Sequence, residues 1–278
     1  MNPKVSVLMA CKNSNLELLK ASINSVLEQS YSDFEFVIVD DGSDSPIESK
    51  LKEVIHDKRI KIFRIQPSGL GAALTFGIKQ SVGEFIARID DDDLMTKDRL
   101  EKQVHFLEQH QEVCCVGANR YSYCHGHYIK HKKFPTIHED IVNSMLSLKW
   151  AMAHSALMYR RESALKVGCY RIKGTGEDLD FILQLSLIGK LANLDDYLLY
   201  YYLNLKSLSA VNSQIPGHIY AIKEFKKSSG YEIHRQIVDQ SLSWLEDMEL
   251  KKKKQFQWKK WLLMLIIRFL GRKMPVNL

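Results

Sequence analysis

Two short, largely apolar runs, Phe34–Val39 and Phe85–Ile89, each lead straight into aspartates. Asp40-Asp41-Gly42-Ser43 follows the first run and Asp90-Asp91-Asp92-Asp93 the second. Runs of this length, rich in β-branched and aromatic residues, read as strands buried on both faces. Val5–Met9 and Ile60–Ile65 have the same character. The segments between them have a helical period. Leu16, Leu19, Ile23, Val26 and Leu27 recur on one face, residues 46–56 and 72–80 read as helices, and Leu100, Val104 and Leu107 mark another. Strand–helix alternation predicts an α/β fold with a mostly parallel central sheet and helices on both faces. Ligands of such sheets bind outside the carboxyl ends of the strands, which is where these aspartates lie.

The second half is less regular. Ala156–Tyr159 and Leu198–Leu203 read as strands, Arg161–Val167 and Leu179–Ile188 as helices, and residues 219–249 as a polar helical stretch. No internal repeat or low-complexity linker marks a boundary. The expected division is soft: residues 1–110, residues 111–210, and a helical extension over 211–278.

The formal charge of +6 points at first to nucleic acid, but its distribution removes that reading. Residues 250–278 hold nine Lys or Arg and no acid, leaving the first 249 residues with three more acids than bases. The five cysteines include no C-x-x-C pair, and Cys114-Cys115 sits in an apolar stretch, so reduced buried thiols are expected. The N-terminus has no signal-peptide pattern, and the longest strictly apolar run, Trp261–Ile267, is far shorter than the ~20 residues of a membrane span. A cytoplasmic protein is expected.

Four carboxylates at one strand end repel one another unless a cation or a shared proton relieves them. Mg²⁺ takes one or two carboxylates together with substrate phosphates, so a metal–phosphate site is the expectation at Asp90–Asp93. Aspartate is also a good cap and turn former, which leaves a polar helix-entry loop as the alternative. Asp40-Asp41-Gly42-Ser43 carries the same two readings. Two acidic strand ends in one sheet should share a rim, which favours a nucleotide site. Gly69-Leu70-Gly71 lacks the third glycine of a dinucleotide fingerprint, because Leu74 stands there, and no P-loop is present. Glu177-Asp178 follows Gly174-Thr175-Gly176 and precedes an apolar helix, where acids also stabilise the positive end of the macrodipole. His154 has no partner at metal-ligand spacing.

Taken in order, Val5-Ser-Val-Leu-Met, Val39-Asp-Asp-Gly-Ser, Gly83-Glu-Phe-Ile-Ala-Arg-Ile-Asp-Asp-Asp-Asp and Gly176-Glu-Asp-Leu-Asp resemble the family 2 glycosyltransferases. Arg99-Leu-Glu-Lys-Gln-Val, Met158-Tyr-Arg-Arg and Gly189-Lys-Leu-Ala-Asn-Leu extend the resemblance over roughly residues 4–210. It implies a GT-A fold: a nucleotide-sugar-binding half continuous with an acceptor-binding half, and inversion at the anomeric carbon. On this resemblance Asp41 matches the position that reads the donor base, usually uracil, with Asp40 beside it and Ala10 on the nucleotide side. Asp90 and Asp92 match the acids of a D-x-D, Asp90 facing the ribose and Asp92 ligating Mg²⁺ or Mn²⁺. Asp178 matches the catalytic base, with Glu177, His154 and Asp93 on the acceptor side or in support.

The chain departs from the family at three places. Ala10-Cys11-Lys12-Asn13 has no aromatic residue to flank the base, and Leu74-Thr75 replaces a frequent Leu-Asn or Arg-Asn. Tyr202 and Asn204 stand where many relatives have Arg and a metal-completing His.

In the tail, Lys251–Lys254 precede Trp258, Trp261, Leu262, Leu265, Ile266 and Phe269 at helical spacing. An amphipathic basic helix fits attachment to an anionic membrane surface, at ~1 kcal/mol per basic residue, or packing on the body. With the resemblance, it implies a UDP-sugar donor and a lipid-linked saccharide acceptor at the inner face of a bacterial membrane, in O-antigen, capsule or exopolysaccharide synthesis. Two other readings stand beside it: a non-catalytic nucleotide-sugar or membrane-surface binding protein of the same descent, and a dehydrogenase resting on Gly69 and Gly71 alone.

Overall fold

The computed structural model describes residues 2–51, 56–124, 127–172, 174–203 and 214–270; side chains are described up to Lys251, except Cys124. Its strands are β1 (Val5–Cys11), β2 (Phe34–Asp40), β3 (Ile60–Arg64), β4 (Phe85–Asp90), β5 (Leu94–Met95), β6 (Val113–Cys124), β7 (His127–Lys130), β8 (Met158–Arg160) and β9 (Lys190–Tyr202). They form one sheet in the order β3-β2-β1-β4-β8-β6-β9-β5, with β7 paired to β6. β1, β2, β3 and β4 run parallel, as do β6 and β9, while β8 is antiparallel to both β4 and β6. The mostly parallel α/β architecture expected from the sequence is therefore present.

Alternation within β1 explains the two-faced core. Leu8 and Ala10 belong to one apolar cluster, whereas Val5, Val7, Met9 and Cys11 belong to another. Successive residues of a strand face opposite sides, so a strand buried at every position needs cover on both. The first face is covered by α3 (Leu70–Gln80), α5 (His138–Leu146) and α7 (Glu177–Ser186), with α8 (Ile215–Lys226) and the start of α9 (Tyr231–Leu270). The second is covered by α1 (Leu16–Leu27), α2 (Ile47–Leu51) and α4 (Arg99–Gln109). The remaining helix, α6 (Arg161–Lys166), follows β8.

Several sequence expectations shift. Ala156 lies in a 3-10 turn over His154–Ala156, and the strand begins only at Met158. The long strand β6 had no sequence prediction. Its partner β9 begins eight residues before the expected Leu198, because Asp195-Asp196 breaks the apolar pattern where the ladder bulges. Opposite the bulge, Asn119 Nδ2 donates to Leu194 O and Asp195 O at 3.4 and 3.1 Å. Residues 52–55 of the expected helix over 46–56 lie outside the described residues.

The polar stretch 219–249 is two helices, α8 and α9, separated at residues 227–230. Ile219, Ile222, Phe225, Val238, Leu242 and Leu245 bury their apolar faces against the body. The backbone of α9 continues helical to Leu270, whereas the side chains of Lys252–Lys254, Trp258, Trp261 and the rest of the predicted amphipathic face lie outside the described residues. No helix among the described residues is long and apolar enough to cross a membrane. Cys11, Cys114, Cys115 and Cys169 are buried free thiols, as expected.

Candidate functional site

A cavity of about 780 Å³ opens at the carboxyl ends of β1, β2 and β4. Residues 1–110 contribute Ala10, Lys12, Asp41, Arg88, Asp90, Asp91 and Asp92, and the residues beyond 110 contribute Arg120, Trp150, His154, Glu177, Asp178 and Tyr201. Asp40 and Asp93 are not among its lining residues.

Asp40 and Asp41 are sequence neighbours with opposite fates, since consecutive side chains of an extended chain point apart. Asp41 lines the cavity, where its carboxylate accepts from Ser68 N–H at 2.6 Å and Gly69 N–H at 3.0 Å, with Lys12 Nζ at 3.9 Å. Gly42 makes this turn possible. Its φ is +67°, and a Cβ there would sit 2.5 Å from the Pro67 ring.

Asp40 turns inward and is 1% exposed. It accepts from Ser43 N–H at 2.8 Å, Ile47 N–H at 3.2 Å and Arg64 Nη1 at 3.1 Å. Burial pushes its pKa up, but the Ser43 and Ile47 donors and the Arg64 charge outweigh it and hold the carboxyl below its usual range. Its place is the scaffold of the turn, not the nucleotide rim where the sequence put it. Asp40→Ala is expected to destabilise the fold by about 3 kcal/mol, because two buried N–H groups and Arg64 lose their acceptor. Thermal melting should register a drop of roughly 6–10 °C.

At the end of β4, Arg88 and Asp90 sit two residues apart and therefore on one face of the strand. The Arg88 side chain is 2% exposed, and its Nη1 donates to Asp90 Oδ2 at 2.8 Å, with Nη2 on Oδ1. Asp91 accepts from Ser14 Oγ, yet burial lifts its carboxyl to about 6. Asp93 is fully buried. Its Oδ1 accepts from Tyr202 N–H at 2.8 Å, Oδ2 has no donor in hydrogen-bond geometry, and burial and then the Asp90 charge raise its pKa. Asp93 thus ties β4 to β9 and lies behind the cavity wall, a supporting position.

Asp92 differs from its neighbours, because no donor among the described residues reaches its carboxylate. Burial, and then the charges of Asp93, Asp90 and Asp91, push it up to about 8. Among the described residues no group of three His, Cys, Asp or Glu is arranged to hold a metal. A divalent cation that completes its shell with phosphate and water oxygens needs only one or two carboxylates, so an undonated Asp92 beside other acids fits such a guest. Asn204, at the position of the relatives' metal-completing His, lies outside the described residues.

Gly176, at φ +87°, precedes α7 and delivers Glu177 and Asp178 into its first turn. Asp178 lines the cavity, its Oδ1 accepting from Leu179 N–H at 2.8 Å. Burial, followed by the Asp178 charge, lifts Glu177 to about 7. His154 also lines the cavity, with its Nε2 2.7 Å from the Tyr170 hydroxyl. Burial, and then the Arg88 charge, depress its pKa well below the ordinary value, so the ring is neutral.

Sequence reasoning missed Arg88, Lys12, Arg120 and Trp150. The first had a usable signal: an arginine inside an apolar strand, two residues before an acid, faces the same way as that acid. The others had none, since their meaning lies in what surrounds them.

Comparison with known proteins identifies this arrangement. The glycosyl transferase family 2 model matches residues 6–168. The chain belongs to that family. It is 32% identical over 183 residues to the O-antigen biosynthesis glycosyltransferase WbnJ of Escherichia coli, covering 65% of this chain and 71% of that one. Among solved structures, S. aureus TarS 1–349 in complex with UDP-GlcNAc superposes with a TM-score of 0.70 at 19% identity, covering 87% of this chain and 71% of that chain. The mannosyltransferase PcManGT from Pyrobaculum calidifontis, in complex with GDP-Man and Mn²⁺, gives 0.66 at 18% identity and covers 88% and 70%. At these identities the two structures bear on the fold alone, and that fold is the GT-A arrangement that the sequence resemblance implied.

Proposed function

We propose that the chain moves a sugar from a UDP-sugar to a hydroxyl of a polyprenyl-diphosphate-linked saccharide, with inversion, in bacterial surface polysaccharide synthesis. One observation carries this reading: a single cavity gathers Asp41, Asp90, Asp92 and Asp178 from strand ends and a helix start far apart in sequence. Membership of family 2, the O-antigen relative and the UDP-GlcNAc bound to TarS support it.

In this reading Asp41 accepts from the uracil, with oxygen lone pairs to spare beside its two backbone donors. The Arg88 fork fixes Asp90 at the ribose. Asp92 holds Mg²⁺ or Mn²⁺, which when bound neutralises charge on the departing diphosphate. Asp178 takes the proton of the attacking acceptor hydroxyl on the side opposite that diphosphate. No second acid is required, because a nucleoside diphosphate leaves readily. Glu177 beside Asp178 keeps one carboxyl partly protonated near neutral pH and so limits repulsion within the pair.

The test is UDP release from a panel of UDP-sugars, with Mn²⁺ or Mg²⁺ and a lipid-diphosphate sugar as acceptor. Acceptor-stimulated release is expected. Tight UDP binding with no release from any donor would instead favour the non-catalytic binding protein. The basic tail is the proposed attachment to the inner face of the membrane. Removing residues 250–278 should move the protein from the membrane fraction to the supernatant, and an unchanged distribution would refute the attachment.

A further inference from the structure

The donor reading leaves part of the cavity unused. Trp150, Arg120, Phe134 and Tyr201 line it from residues beyond 110, not from the strand ends that carry Asp41 and Asp90. Trp150 is 62% exposed, yet its backbone is held from both sides. Before it, Leu148 takes a φ of +59° at the end of α5, its N–H donating to Met145 O at 3.0 Å, and Lys149 N–H donates to Ser144 O at 2.9 Å. A left-handed non-glycine residue is strained, and here the Leu148 side chain packs against the core. After it, Ala151, Met152 and Ala153 are buried, and Asn193 Nδ2 donates to Ala151 O at 2.8 Å. The indole is thus a large apolar surface kept at the cavity by an anchored chain.

Arg120 is the second unused group. Its Nε is buried with no partner among the described residues, and its guanidinium lies over the Tyr201 ring, 4.1 Å from the centroid. No carboxylate among the described residues pairs with it, although the cavity is rich in carboxylates. A guanidinium lying over an aromatic ring can still offer its N–H fork, the geometry that receives carboxylate or phosphate oxygens in pairs. An aromatic face in the same cavity suits the apolar face of a pyranose, at little conformational cost because indole has two side-chain torsions.

We propose that Trp150 and Arg120 form the acceptor subsite, and that the acceptor is a saccharide carrying an anionic group. Its ring lies on Trp150 and its carboxylate or phosphate oxygens meet Arg120. This inference rests on the transferase reading and adds to it the residues that hold the acceptor's ring and its anionic group.

The experiment is calorimetric titration of the full chain, saturated with UDP and Mn²⁺, against three glucose-based probes. These are neutral octyl glucoside, octyl glucuronide, and glucosyl diphosphate bearing a decyl tail. At least one anionic probe should bind tenfold or more tightly than the glucoside, and which one does so tells carboxylate from phosphate. R120M should erase that preference, W150A should weaken the preferred probe by about tenfold, and both variants should keep the affinity for UDP and Mn²⁺. UDP binding with no anion preference, or a preference that survives R120M, overturns this inference alone. So does an unchanged probe affinity in W150A. Loss of UDP affinity in R120M overturns it too, by placing Arg120 on the donor side. Absence of UDP binding by the unaltered protein removes the transferase reading itself.

Discussion

Asp178→Asn is expected to lower acceptor-dependent transfer by about a thousandfold while leaving UDP affinity intact. General-base assistance contributes roughly 10²–10⁴ in rate, and asparagine cannot accept the proton. The substitution is nearly isosteric, and its amide oxygen can still accept from Leu179 N–H, so a collapse of the α7 start is not the expected cause of the loss. Steady-state kinetics with UDP titration separates chemistry from binding. Full turnover in this variant would refute the assignment. If Glu177→Gln instead produced the loss, the neighbouring carboxyl, already lifted to about 7, would be the base.

Asp92→Ala should act on the other side of the reaction. Removing the carboxylate of the strand end that no donor among the described residues reaches is expected to weaken Mn²⁺-dependent UDP binding by one to two orders of magnitude. Metal-free UDP binding should change little. A pH signature accompanies it. Asp91 at about 6 and Asp92 at about 8 hold protons in the folded protein that the unfolded chain has released. The native state therefore binds more protons between roughly pH 4 and 8, and stability falls as pH rises through that window. Without metal, the melting temperature should fall from pH 5.5 to 8.5. Mn²⁺ with UDP should recover several degrees at the upper end, since a ligand at a hundred times its Kd adds about 2.7 kcal/mol. Asp92→Ala should flatten the decline and remove the Mn²⁺ effect. An unaltered protein whose melting point ignores both pH and Mn²⁺ would count against a cation site at Asp92.

Much of the fold was legible in the sequence because its information is local. β1, β2 and β4 are largely apolar and buried along nearly their whole length, and a strand of that kind must be covered on both faces. The second half was harder for a physical reason. β6 carries Asn119, Arg120 and Ser122, polar residues whose partners are Asp195 O, the Tyr201 ring and His131, on other segments. A strand that meets its polar needs through distant partners has no apolar signature of its own. The bulge at Asp195-Asp196 hid the first part of β9 in the same way.

The candidate site divides along the same line. The order of residues determines that acids stand at the ends of β2 and β4 and at the start of α7. Local alternation and the glycines at 42 and 176 bring this about without distant help. Only the packed structure decides what each acid is free to do. Asp40 is committed to Ser43, Ile47 and Arg64, Asp93 to the Tyr202 backbone, and Asp90 to Arg88, while Asp92 has no donor among the described residues. A carboxylate's chemistry depends on its donors and its contact with water. Some donors are local, as Ser43 and Arg88 are, whereas Arg64 and Tyr202 come from strands that the sheet, not the sequence, makes neighbours.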